Sequence, residues 1–142
     1  MKKKKKIIMG CILICLFCII GVYEYINMGK NDNFKISQIN WNGETKFWTD
    51  NTHNNIYDIK FQIFDGIDLK KITSDKSTYV MKIDSTVDDG KLKIRIYNDK
   101  KIFFQQNGTT NKTVTISNAN SENVKVEITG EKAKGHIRIK LT

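Results

Sequence analysis

Tyr57-Asp-Ile-Lys-Phe-Gln-Ile63 alternates apolar and polar residues without a break. A strand places successive side chains on opposite faces, so such a stretch buries Tyr57, Ile59, Phe61 and Ile63 and wets the residues between them. The same period of two returns at Tyr79, Met81 and Ile83, and again at Leu92, Ile94 and Ile96. It recurs at Val124, Val126 and Ile128 and closes the chain at Ile137, Ile139 and Leu141. Weaker strands fit 34–41, 44–49, 102–105 and 113–117. Asn42-Gly43 and Asp89-Gly90 suit two-residue hairpins, in which both central residues need positive φ. Asn98-Asp99-Lys100, Asn107-Gly108 and Thr129-Gly130 mark further reversals. Phe64 to Ser74 reads as a long connection between sheets. The pattern therefore predicts an all-β fold, an antiparallel β-sandwich of about eight or nine short strands.

Ahead of this region, Lys2 to Lys6 run directly into an apolar stretch from Ile7 to Tyr23. A bilayer core of ~30 Å needs about 20 apolar residues in a helix, and Tyr23 and Tyr25 stand where the lipid–water boundary would fall. The run exceeds the ~7–15 residues of a cleaved signal and lacks small residues at a cleavage site. We expect a single-pass signal anchor, with the lysines cytoplasmic and the rest extracytoplasmic. The boundaries are a basic stub at 1–6, a transmembrane helix at 7–26, a linker at 27–33 and the β domain at 34–142. All three cysteines, Cys11, Cys15 and Cys18, lie within the anchor, so no disulfide braces the exported domain. None follows the small residues and apolar run that a lipoprotein signal requires.

The formal charge is +9, of which Lys2 to Lys6 carry five, leaving +4 for the remainder. That balance and the export signal both argue against nucleic acid as a partner. The expected partners are membrane lipid, through the helix, and an envelope polymer or protein. About 110 exported residues suffice for one core without metal or disulfide, and no cofactor is expected.

Candidate sites are few. His53 and His136 are the only histidines, and no motif sets a nucleophile or carboxylate beside either, so no enzymatic activity is expected. Asp65, Asp68, Asp84, Asp88 and Asp89 fall in two presumed loops, where they serve turn chemistry more readily than calcium. Trp41 and Trp48 flank the Asn42-Gly43 hairpin and would share one face with Ile39, Glu44 and Lys46. Buried they are core; exposed they form a platform for a sugar ring or a peptide. Lys91, Lys93 and Arg95, with Lys125, Arg138 and Lys140, fall on the polar sides of their strands. Paired, those strands would present a basic face to anionic lipid or wall polymer.

The segment Val124-Lys-Val-Glu-Ile-Thr-Gly-Glu-Lys-Ala-Lys-Gly-His-Ile-Arg-Ile-Lys-Leu141 resembles the last hairpin of small exported β-sandwich proteins of low-GC Gram-positive bacteria. Gly90-Lys-Leu-Lys-Ile-Arg-Ile-Tyr-Asn-Asp-Lys-Lys-Ile-Phe104 is similar to their middle hairpin. The likeness covers residues 78–142 and implies a sandwich tethered at the membrane by a signal anchor or a lipid. It implies no activity. The sequence thus supports a non-catalytic binding or structural role at the cell envelope, with a carbohydrate-binding module built on Trp41 and Trp48, or a subunit of a membrane complex, as alternatives.

Overall fold

The computed structural model describes residues 33–117 and 123–142. The expected anchor from Ile7 to Tyr23, the cytoplasmic stub and most of the linker lie outside the described residues. Among the described residues, no helix is long and apolar enough to cross a membrane.

Seven strands form one antiparallel sheet. They are β1 (Phe34–Lys46), β2 (Thr49–Asp50), β3 (Ile56–Ser74), β4 (Thr78–Tyr97), β5 (Ile102–Asn107), β6 (Thr110–Ser117) and β7 (Val124–Leu141). The order is β1-β3-β7-β4-β5, with β2 beside β3 and β6 beside β4. The expected all-β antiparallel class holds. The expected number and length of strands do not, because β3, β4 and β7 run for 19, 20 and 18 residues.

Three segments read as reversals or connections are strand interior. Asn42-Gly43 lies within β1, where Gly43 pairs with Gly66 of β3. A Cβ on Gly43 would stand 2.4 Å from the Asp65 carbonyl oxygen and 2.7 Å from Gly66 Cα, so glycine serves a close backbone approach here. Asp89-Gly90 lies within β4, where Gly90 at φ 72° faces Lys132 at φ 50° across a pair of register shifts. It forms a bulge and not a hairpin. Phe64–Ser74 is the second half of β3, paired on both sides. Likewise, the expected closing hairpin is one continuous β7, and the chain passes Asn107-Gly108 from β5 to β6 without reversing along β4. Asn98–Lys101 does turn: Asn98 N–H donates to the Lys101 carbonyl at 3.0 Å, and the Asn98 side-chain oxygen accepts from Lys100 and Lys101.

The long strands double back. Tyr57 and Asp68 are 11 residues apart on β3, a distance of ~36 Å in straight extended chain. Yet the Tyr57 hydroxyl donates to Asp68 Oδ2 at 2.6 Å. In β4, the carbonyl of Leu92 accepts from Gly108 N–H while Ser85 Oγ donates to the Gly108 carbonyl, each at 2.8 Å. The buried positions change parity at the bend in all three long strands. They pass from Tyr57, Ile59 and Phe61 to Phe64 and Ile72 in β3, and from Met81 and Ile83 to Leu92, Ile94 and Ile96 in β4. In β7 they pass from Val124, Val126 and Ile128 to Ala133, Ile137 and Ile139. Register shifts at Phe61/Phe64 and Val87/Asp89/Lys91 accompany the change. An inserted residue preserves the buried side of a strand while reversing its parity. The two halves of the sheet therefore turn the same face inward and share one core.

Candidate functional site

Trp41 reaches the inner face because the β1–β3 register sets it opposite Asp68, two pairs from Gly43–Gly66. Glu44 and Lys46 alternate with it and point to the other side, which corrects the shared face expected from a hairpin. Phe47 then adopts φ 52°, a left-handed conformation costing a residue with a Cβ roughly 1–2 kcal/mol. This break between β1 and β2 leaves Phe47 67% exposed. It also lets Trp48 turn inward, where it stacks on Phe61 at 5.9 Å with planes 20° apart and leans on Phe64 at 5.2 Å. Trp41 sits edge-on to Trp48 at 6.4 Å and 75° and remains 44% exposed. The two tryptophans are thus brought together, with Trp48 packed against the core and Trp41 at its open rim. Phe47 was not legible as a surface aromatic, because only its backbone angle expels it.

Behind Trp41 lies a polar cluster that alternation alone did not reveal. Asp68 is fully buried and accepts from Tyr57 Oη and from Gln38 Nε2, each at 2.6 Å. Lys70 is 3% exposed and is the only buried cation among the described residues. Its ammonium pairs with Asp50 Oδ2, stands 3.5 Å from Asp68 Oδ2 and lies 4.9 Å from the centre of the Tyr57 ring. Burial alone would raise the Asp50 carboxyl, but hydrogen bonds from Lys70 and Thr52 outweigh it and hold that group below its ordinary value. Burial pushes the Tyr57 hydroxyl far upward, with the adjoining Asp68 charge adding to it.

Lys91, Lys93 and Arg95 project from the outer side of β4, as expected from the burial of Leu92, Ile94 and Ile96. Lys91 and Lys93 line a cavity of about 450 Å³ with Leu92, Asn107, Gly108 and Thr129. Acids and rings of the same chain engage the basic groups. Lys91 Nζ donates to Glu131 at 2.9 Å, which raises its pKa, and Lys125 Nζ donates to Asp99 at 2.8 Å. The Arg95 guanidinium covers the Tyr97 ring at 4.3 Å. Arg138 and Lys140 pair with the opposite end of β4, near Asp84 and Lys82, so the basic residues do not form one continuous sheet face.

His136 Nε2 donates to Asp58 Oδ1 at 2.7 Å, on the outer side of β7 and β3, with Arg138 Nε 4.0 Å from the same carboxylate. His53 Nδ1 contacts the Asn51 carbonyl at 2.6 Å. Among the aspartates, Asp68 is interior, whereas Asp65 and Asp89 line a second cavity beside Lys91 and Lys132. No group of three or more potential metal ligands occurs among the described residues.

No family model matches the sequence, and no curated protein matches it. Solved structures with some likeness include a mutant family 29 carbohydrate-binding module complexed with mannohexaose. It shares 11% identity at a TM-score of 0.35, over 75% of this chain and 88% of that one. A Podospora anserina GH26-CBM35 β-(1,4)-mannanase shares 12% identity at 0.41, over 78% of this chain and 28% of that one. A family 61 module in complex with β-1,4-galactotriose shares 11% identity at 0.37, over 82% and 92%. Likenesses of this size carry no inference about ligand.

Proposed function

We propose that the β domain is a non-catalytic binding module that presents Trp41 to the apolar face of a sugar ring in an envelope polysaccharide. We further propose that the Ile7–Tyr23 segment holds it at the outer face of a membrane, with Lys2 to Lys6 inside. The observation that carries the first reading is the half-exposed Trp41 indole, held edge-on by a Trp48 that itself stacks on Phe61. A braced aromatic loses little freedom on binding, and its apolar face suits the C–H side of a pyranose. The outer basic face is a weaker candidate, since Glu131, Asp99 and Tyr97 already engage Lys91, Lys125 and Arg95.

The test is depletion of the detergent-solubilised full chain by insoluble wall polysaccharide. Retention should persist at high salt and fall about tenfold for Trp41→Ala, the equivalent of losing one aromatic stack of ~1–1.5 kcal/mol. Both tryptophans of the chain lie at this site, so their emission should shift as polysaccharide is added. Retention that Trp41→Ala leaves unchanged, or that Lys91→Gln, Lys93→Gln and Arg95→Gln together abolish, would overturn the proposal.

A further inference from the structure

Lys70 lies in the second half of β3, and Asp50 lies in β2, which pairs with the first half. The doubling of β3 makes the two halves meet, and the Lys70 ammonium is set against the Asp50 carboxylate across that junction. Asp68 stands 3.5 Å from the same nitrogen, oriented by hydrogen bonds from Tyr57 Oη and Gln38 Nε2 at 2.6 Å each. The site therefore holds an amine, an acyl carbon and a second carboxylate. Lys70 is 3% exposed and Asp68 is fully buried. Burying ions costs several kcal/mol each after relaxation, and apolar residues of similar volume usually serve stability as well. An ion pair kept there at that cost invites a chemical reason. We infer that Lys70 and Asp50 condense to an intramolecular amide, a covalent bridge between β2 and the far half of β3.

The reaction balances with the groups present. One proton passes from Lys70 Nζ to Asp50, giving the neutral amine and carboxylic acid from which attack starts. This is the minor form of the pair, because the hydrogen bonds from Lys70 and Thr52 hold the Asp50 carboxyl below its ordinary value. The amine lone pair attacks Asp50 Cγ and a carbon–nitrogen bond forms. Asp68 accepts the second proton from nitrogen and returns it to the Asp50 hydroxyl, which departs as water with cleavage of one carbon–oxygen bond. Asp68 begins and ends as a carboxylate, and neither oxidant nor co-reactant is consumed. Tyr57, whose hydroxyl burial and the Asp68 charge keep protonated, and Gln38 act as positioning residues for Asp68. Asp50, with a third of its side chain exposed, gives the departing water a way out. The bridge would close a ring of chain beneath Trp41 and hold the two halves of the sheet together without a disulfide.

The test is mass spectrometry of the denatured full chain and its tryptic peptides. The expected result is an intact mass one water below that of the sequence. Peptide Phe47–Lys60 should be joined to Phe61–Lys71, with cleavage after Lys70 blocked. Lys70→Arg should restore the water and free both peptides. Asp68→Asn should leave the peptides unlinked in a protein whose circular dichroism is unchanged. Asp50→Asn should still link, with ammonia as the leaving group. Asp50 could also lose water by cyclising onto the Asn51 backbone nitrogen, but peptide Phe47–Lys60 would then run free. A free, full-mass peptide pair in the unsubstituted protein, or water loss confined to the unlinked Phe47–Lys60 peptide, would overturn the inference.

Discussion

Tyr79 buries its hydroxyl with no hydrogen-bond partner among the described residues, while its ring meets Phe34 edge-on at 5.3 Å. Removing that oxygen leaves no partner unpaired and keeps the ring contact, so Tyr79→Phe should be neutral or stabilising by up to about 1 kcal/mol in chemical denaturation. A loss of more than that would reveal a partner for the hydroxyl. Tyr57 differs, because Tyr57→Phe would take from the buried Asp68 carboxylate one of its two hydrogen-bond donors, leaving Gln38 and the Lys70 ammonium at 3.5 Å. Burial raises both phenols above the ordinary value of 10.0, and for Tyr57 the Asp68 charge adds to it. A raised folded pKa contributes stability that is complete below the unfolded value and is lost as pH climbs towards the folded one. Stability should therefore hold up to about pH 10 and decline above it. In an absorbance titration, two of the five tyrosines should ionise only as the fold is lost; their titration at the ordinary pH in folded protein would contradict this burial.

Strand continuity rests on places where two backbones nearly touch. Gly43 and Gly66 face each other between β1 and β3 at φ of 151° and 154°. A methyl on Gly43 would need that angle in a residue with a Cβ and would also press on the Asp65 carbonyl. Gly43→Ala should cost about 2–3 kcal/mol, and it should loosen β1 from Asn42 towards Phe34 before the rest of the sheet. Hydrogen exchange would read this as early loss of protection in β1. Uniform loss across all strands would show that β1 does not open separately. Because β1 also carries Trp41, the same substitution should weaken polysaccharide retention without touching the indole. The strands expected at 57–63, 79–83, 92–96, 124–128 and 137–141 all lie within β3, β4 and β7, since alternation buries one face whatever the partner strand.

For the molecule as a whole, the proposed tether makes a fractionation prediction. The full chain should sediment with membranes and resist both high salt and alkaline extraction, as five lysines followed by an apolar run require of a spanning helix. A soluble exported form beginning near Tyr23 would show the segment to be cleaved. Alkaline release of an uncleaved chain would show that it does not span. Such a tether and a rim-exposed Trp41 suit a module that meets an insoluble polymer, where many weak contacts on one surface sum to retention.

The sequence alone determined the strand class, the Asn98–Lys101 turn and the inward residues of the regular strands except Ile63, each set by neighbours only a few positions away. Ile63, expected inside, is 41% exposed because the register shift between Phe61 and Phe64 reverses the parity there. Tertiary structure alone decided whether Gly43, Gly90 and Gly130 mark ends or interiors. A glycine that permits a turn also permits close approach, and only a partner strand distant in sequence distinguishes them. The same holds for Phe64–Ser74, which reads as a connection because its inward positions carry Asp68 and Lys70 in place of apolar residues. Those charges are tolerable inside only because Asp50, Tyr57 and Gln38 arrive from other strands or from the far half of the same one. Likewise, the sequence placed Trp41 and Trp48 near each other but could not say which would be buried. The left-handed turn at Phe47 and the waiting rings of Phe61 and Phe64 settled that, drawing Trp48 into the core and leaving Trp41 at its rim.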